Sequence, residues 1–327
     1  SDVVEFEGVD VYRFSQTIEV ASCGFSIAAI KGFKESVEWA DIVHYHFPWP
    51  FGDLLHLLAK VNKPTLVTYH SDVIRQKWLL NLYRPLKRLF LSKVDAIVAT
   101  SENYFATSDV LGHYSEKVQV IPIGINDQKN EISEDKLKLW QDKVGEDFFL
   151  FIGVLRYYKG LHILLDALQH TSCRVVIVGA GPIEDELKKN ARQLKLSNVI
   201  FLGYVDNEDK IALTKLSLGI VFPSHLRSEA YGVTLVEGAL HGKPLISTEI
   251  GSGTSYVNKH GKTGLVIPPS DPRSLREAME IISNNKALAK EMGDNARKRY
   301  DDLFTGSVMG QKYSLLYQNL TKESIGK

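Results

Sequence analysis

Two cations share one glycine-bounded loop, Gly153-Val-Leu-Arg156-Tyr-Tyr-Lys159-Gly160. The loop follows a β-rich run, Phe148–Ile152, and precedes a predicted helix, Leu161–Gln169. In open α/β sheets, ligands bind beyond the carboxyl ends of the strands. Two cations at such an edge, beside a helix start, suit a diphosphate. Taken alone, Arg156 and Lys159 read more readily as solvated loop charges.

A second loop, Gly179-Ala-Gly181-Pro182, follows the run Arg174–Val178. It is half of a dinucleotide fingerprint. The third glycine of G-x-G-x-x-G would fall at Glu184, and the next strand, Val199–Leu202, ends in Gly203 instead of a ribose-binding acid. The alternative is a tight strand-to-helix turn. A third segment is Ser228-Glu229-Ala-Tyr231-Gly232-Val233-Thr234-Leu235-Val-Glu237. A helix starting near Gly232 and ending at Gly242 would leave its first amides, around Gly232 to Leu235, without partners at the same edge. A diphosphate there would put Glu229 on the sugar side and leave Glu237 to accept from a ribose diol. The plain alternative is a helix-start carboxylate and a surface charge.

Elements in alternation must position these loops. Apolar, β-branched runs recur at 41–46, 65–69, 96–100, 118–121, 148–152, 174–178, 199–202, 218–222, 244–247 and 264–267, mostly without polar alternation. Strands buried on both faces read this way. Amphipathic stretches at 52–60, 78–93, 160–169, 183–195, 209–216, 232–241 and 271–284 separate many of them. This is the pattern of doubly wound parallel sheets. Pro122-Ile-Gly124-Ile-Asn126 breaks it, and a polar segment, 127–147, follows. We therefore expect a first domain over 1–126 and a second over 127–327, with a short terminal helix, Tyr313–Leu320, packing back. The first clear strand is 9–14, so earlier strands are expected to be missing.

The chain has 327 residues, enough for two cores, and ordinary globular composition: 44% hydrophobic and 24% charged. Lys+Arg and Asp+Glu are both 39, which argues against a nucleic-acid partner. No run approaches the ~18 apolar residues of a membrane span. Cys23 and Cys173 stand far apart, which fits a reducing, cytoplasmic setting and no zinc site.

Together the loops closely resemble family 4 of the retaining glycosyltransferases, from about Asp41 to Pro269. The strongest match is Glu229-x7-Glu237, flanked by Pro223-Ser224 and by His241-Gly242-Lys243-Pro244-Leu-Ile-Ser. The Arg156/Lys159 loop, Gly179-Ala-Gly181-Pro182, Gly261-Lys-Thr-Gly264-Leu-Val-Ile-Pro268, Asp41-Ile-Val-His44-Tyr-His46 and Thr68-Tyr-His70-Ser71-Asp72 also match. The resemblance implies the GT-B fold: two Rossmann-like α/β domains with doubly wound parallel sheets facing a cleft. It implies hexosyl transfer from a nucleotide-sugar, GDP- or UDP-linked, with retention and without a metal or other cofactor. Bacterial surface-polysaccharide (O-antigen or capsule) mannosyltransferases are the resembling group, partly through Gly251-Ser-Gly-Thr-Ser-Tyr-Val257. In that light Arg156 and Lys159 would neutralise the leaving diphosphate and Glu229 would hold sugar hydroxyls. Glu237 would bind ribose. Gly203-Tyr204-Val205 would frame the base, and His70 would stand at the reacting centre. The family often has Arg directly after the loop glycine; this chain has Val154, so Arg156 is the substitute. The family's glycine-rich first βα loop is not found before Val9.

His44 and His46 share a strand face at i, i+2, which suits acceptor contact or a local hydrogen-bond role. Metal binding would need a third ligand that the sequence does not place. His162 and His170 read as structural. The segment 75–93 carries Arg75, Lys77, Arg84, Lys87, Arg88 and Lys93 with Trp78, Tyr83 and Phe90, and no acid. A basic aromatic helix can lie on an anionic membrane, which would suit a lipid-linked glycan acceptor. The alternative has Leu79, Leu82, Leu86 and Leu89 facing the core, with the cations solvated. Two other function classes remain at this point: a Rossmann oxidoreductase or epimerase, opposed by the failed fingerprint, and a non-catalytic sugar-nucleotide binder, opposed by intact Glu229, Glu237, Lys159 and His70.

Overall fold

The computed structural model describes residues 2–20, 23–73, 77–127 and 132–325, with the side chains of 77–80 and 323–325 outside the description. The chain divides into two compact units. Unit 1 holds residues 1–100, 108–121 and 312–327; unit 2 holds 101–107 and 122–311.

In unit 1, β1 (Asp2–Phe6), β2 (Val9–Arg13), β3 (Ile18–Val20) and β4 (Cys23–Phe25) form two antiparallel hairpins, β1 with β2 and β3 with β4. Glu7 and Gly8 both take positive φ between β1 and β2, as the tightest hairpin turns require. The strand expected near Val9 is therefore half of a hairpin and lies outside the parallel sheet. Then come α1 (Ile27–Trp39), β5 (Val43–Phe47), α2 (Pro50–Ala59), β6 (Thr65–Tyr69), α3 (Lys77–Lys93), β7 (Ala96–Ala99), α4 (Glu102–Thr107), α5 (Asp109–Gly112) and β8 (Val118–Val120). Strands β5-β6-β7-β8 make a parallel sheet in that order. Of these elements, α4 belongs to unit 2.

Unit 2 continues with α6 (Glu134–Val144), β9 (Phe149–Ile152), α7 (Leu161–Ala167), β10 (Val175–Val178), α8 (Glu184–Gln193), β11 (Val199–Gly203), α9 (Asn207–Leu216), β12 (Gly219–Phe222) and α10 (Val233–Leu240). It ends with β13 (Leu245–Thr248), α11 (Thr254–Val257), β14 (Gly264–Ile267), α12 (Pro272–Asn284), α13 (Lys286–Leu303) and α14 (Gly306–Ile325), whose last part counts with unit 1. The sheet order is β11-β10-β9-β12-β13-β14, all parallel. Two apolar layers cover its faces, one around Leu161, Leu164 and Met279, the other around Leu235, Val236 and Tyr300. This is why β9, β10 and β12 read as unbroken apolar runs.

Three expectations need correction. The units part at Ile121/Pro122, not after Asn126, and residues 101–107 join unit 2. The polar stretch 127–147 contains α6, capped by Ser133, whose side chain accepts from Lys136 N; Glu134 and Asp135 sit in its first turn, and Trp140 and Val144 are buried. A helix with so narrow an apolar stripe looks like a linker in composition. The terminal helix is also longer than Tyr313–Leu320.

Helix α3 differs most from expectation. Tyr83, Lys87 and Phe90, at i, i+4 and i+7, face inward. Leu82 is 78% exposed and Leu89 47%, with Arg84 and Arg88 also outward. Tyr83 donates to the buried Asp53 carboxylate, so the inner face is partly polar. Burial depresses the Lys87 pKa, against the pull of Asp72. Arg75 and the side chains of Lys77, Trp78 and Leu79 lie outside the described residues.

Candidate active site

In unit 2 the strand order reverses between β9 and β12, and loops leaving neighbouring strands at such a switch point diverge and open a crevice. The loop after β9 carries Arg156 and Lys159; the loop after β12 carries Glu229. Glycines let these loops approach. A Cβ on Gly160, which has φ +72°, would lie 2.1 Å from Pro223 O. A Cβ on Gly179, at φ +126°, would lie 2.0 Å from Gly153 O, and one on Gly181 2.4 Å from Leu155 O. Gly179 and Gly181 thus serve close backbone packing, the tight-turn alternative.

Lys159 Nζ and Glu229 Oε2 form a buried ion pair, each residue under a tenth exposed. Ser224 Oγ donates to the same carboxylate oxygen at 3.3 Å. The ammonium also stands 4.7 Å from the Phe222 ring centroid. Arg156 is exposed and has no ion pair among the described residues. Gly232, left-handed at φ +88°, starts α10, so the Val233 and Thr234 amides precede the first intrahelical bond. Val233 is exposed, Leu235 is fully buried, and Thr234 donates to Ile152 O at 3.2 Å. Glu237, one turn further, pairs with Lys210 of α9 at 2.7 Å. Gly203 closes β11 and its carbonyl accepts from Gly179 N; Tyr204 is 84% exposed and Val205 packs on the core. Tyr231 turns its side chain into the core. It is 4% exposed, and its hydroxyl donates to Ile123 O at 3.1 Å. Burial pushes its phenol pKa upward.

Unit 1 gathers the three histidines into a row. His46 Nδ1 and His70 Nε2 lie 2.9 Å apart, with the rings stacked. His44 stacks on His46 at 4.8 Å between centroids. Two tyrosines of α14 hold the row's inner end: His44 Nδ1 meets Tyr317 Oη, His44 Nε2 meets Thr68 Oγ1, and Thr68 Oγ1 meets Tyr313 Oη, each at 2.7 Å. Burial, then His46 and His70, depress the His44 pKa to about 4; those of His46 and His70 are also lowered by burial. All three are therefore neutral near pH 7. Sequence reading missed Tyr313 and Tyr317, and also His225. The ring of His225 meets His162 and Tyr157 edge-on in unit 2, and its buried Nδ1 has no hydrogen-bond partner among the described residues. No local motif announces any of them.

Residues 133–299 match the family "Glycosyl transferases group 1", and residues 5–129 match "Glycosyltransferase Family 4". The chain belongs to these glycosyltransferases. It is 57% identical to the D-rhamnosyltransferase WbpZ of Pseudomonas aeruginosa, over 93% of this chain and 80% of that one. It is 48% identical to the O-antigen chain mannosyltransferase C of Escherichia coli, over 97% and 85%. Sucrose-phosphate synthase from Thermosynechococcus elongatus superposes with a TM-score of 0.83 at 20% identity, covering 99% of this chain and 86% of that one. Anabaena HepE in complex with UDP gives 0.77 at 18%, covering 89% and 82%. The fold is thus GT-B, and the glycosyltransferase transfers a sugar from a nucleotide-sugar. Among the described residues no helix is long and apolar enough to cross a membrane.

Proposed function

We propose that this glycosyltransferase moves a mannose-configured hexose from a GDP-sugar onto a lipid-linked glycan in O-antigen synthesis, with retention and without a metal. The names of its relatives support the sugar: D-rhamnose is 6-deoxymannose, so both share one ring configuration. UDP-hexose is the competing donor.

The observation that carries the reaction is the buried Lys159–Glu229 pair at the switch point. Each group neutralises the other. An arriving diphosphate takes Lys159 and the exposed Arg156, and the open start of α10 adds two amides. These stabilise the charge that develops on the leaving oxygen. Glu229, released, accepts from a sugar hydroxyl. Double displacement needs a carboxylate at the anomeric carbon. Glu229 is committed to a hydroxyl, so we favour front-face attack within an ion pair, the phosphate taking the acceptor proton. Glu237, oriented by Lys210, receives the ribose diol. His70, steadied by His46, contacts the sugar. The outward face of α3, with Leu82, Leu89, Arg84 and Arg88, supports peripheral contact with an anionic membrane.

The test is nucleotide release from GDP-mannose, GDP-D-rhamnose and UDP-glucose, with and without EDTA, and NMR of the product's anomeric carbon. Release only from UDP-glucose overturns the donor. Inversion overturns the stereochemistry. Activity lost to EDTA and restored by magnesium or manganese overturns metal independence.

A further inference from the structure

At the amino-terminal edge of the unit 1 sheet, opposite the edge that carries His70, lies a cavity of about 780 Å³. Lys60 and Lys63 from the turn after α2, and Lys93 from the end of α3, line it together with His56. None of the three lysine ammonium groups has an ion pair or hydrogen bond among the described residues. The one acid present, Asp95, is engaged: its Oδ2 accepts from Thr65 N and Thr65 Oγ1 at 2.8 and 2.7 Å. His56 Nδ1 is taken by Tyr45 Oη at 3.0 Å, while Nε2 has no hydrogen bond among the described residues. Three unpaired cations around one concavity repel one another, and an anion relieves that repulsion. Leu57, Val61 and the half-exposed Leu89 line the same space, an apolar wall that a free anion would not need.

We propose that this cavity binds a phosphate group carried on an apolar body, namely the headgroup of an anionic phospholipid. Lys60, Lys63 and Lys93 hold the phosphate, and the leucine wall meets the start of the acyl region. The inference rests in part on the membrane contact proposed above, but it assigns that contact a defined pocket away from the sugar chemistry. The pocket lies one strand length from His70. Five residues of β6 at ~3.3 Å each separate the two edges, roughly 16 Å. Headgroup binding would therefore leave the reacting edge free.

The test is co-sedimentation of the full chain with phosphatidylcholine vesicles, with and without phosphatidylglycerol, comparing wild type with Lys60→Gln/Lys63→Gln/Lys93→Gln and with Arg84→Glu/Arg88→Glu. We expect at least tenfold stronger binding to the anionic vesicles, most of it lost in the triple lysine variant, and unchanged transfer to a water-soluble acceptor. A triple variant that binds as wild type does, while the arginine variant fails, overturns the pocket and leaves the α3 contact standing. In a parallel arm, inorganic pyrophosphate is added and the melting temperature read. A lysine-dependent rise without any vesicle preference keeps the phosphate site and overturns its lipid source. No lysine-dependent response in either arm overturns the site altogether.

Discussion

The donor-side crevice of unit 2 and the histidine row of unit 1 are built by opposite means. In the crevice, backbone does most of the positioning: loops from adjacent strands touch at Gly153, Gly160, Gly179 and Gly181, and one buried ion pair joins them. In the row, side chains do it. His44 is fixed by Tyr317, 273 positions away, and Thr68 by Tyr313, 245 away. Local backbone geometry leaves a local trace in sequence; a hydrogen bond across the chain leaves none. The two constructions should also fail differently.

The largest effect should come from the ion pair. Glu229→Gln is expected to lower turnover ~10²–10³-fold, the usual cost of removing a preorganised transition-state contact. It also leaves Lys159 buried and unpaired, and breaking such a pair costs about 3–5 kcal/mol. A nucleoside diphosphate supplies the missing anion. It should therefore raise the melting temperature of Glu229→Gln more than that of wild type. An equal shift in both proteins would show that the diphosphate does not reach Lys159.

Gly179→Ala attacks the backbone alone. Its Cβ would meet Gly153 O at 2.0 Å, at a φ that L side chains rarely adopt. Overpacking of this kind costs about 1–3 kcal/mol. Denaturant unfolding of unit 2 should register it, with weaker nucleotide binding; unchanged stability would mean that the two loops do not touch.

These two regions also show what was legible. Among the described residues, the β-branched runs located the ten parallel strands to within two residues, because burial on both faces leaves little room for polar residues. Glu229-x7-Glu237 and the Arg156/Lys159 loop were legible as a constellation, since their spacing is set by one strand-loop-helix unit each. That Lys159 would meet Glu229 was not: they are 70 positions apart, and only the β9-β12 adjacency joins them. The inward turn of the Tyr231 side chain was not legible either, because a residue at a helix start can face the core as easily as a ligand. The inward Lys87 and outward Leu82 of α3 misled for a related reason. Buried Asp53 makes part of the inner face polar, so apolar periodicity alone assigns the wrong side.

The row should be softer than the crevice. Tyr317→Phe removes one hydrogen bond to His44 and nothing else, a change of about 1 kcal/mol. We expect a roughly fivefold fall in kcat, little change in the KM for the nucleotide-sugar, and an acid limb of the rate profile moved along the pH axis. Nucleotide binding by calorimetry is the control. If Tyr317→Phe weakens nucleotide binding as much as turnover, the row is part of the donor site and the contrast between the regions fails.

The smallest effect is thermodynamic and concerns protons. The folded-state pKa of His44 lies at about 4, and those of His46 and His70 are also below the ordinary value. The unfolded chain titrates these imidazoles near pH 6.5. Between these limits the unfolded state binds more protons, so stability rises with pH there. The contribution of the row is complete above about pH 6.5 and is lost as pH falls towards the folded value. Imidazole NMR should show His44 titrating well below pH 6.5. His44→Asn should flatten the fall in denaturant stability on the acid side of pH 6.5. In unit 2 burial depresses His241 likewise, to about 4, but with Lys215 as its chief charged neighbour instead of other imidazoles. His241→Asn should flatten the same limb without moving the His44 titration, whereas His46→Asn should raise it, because the charges of His46 and His70 add to burial in holding His44 down. If His44 titrates identically with and without His46, the stacked row exists as geometry but does not act as one electrostatic unit.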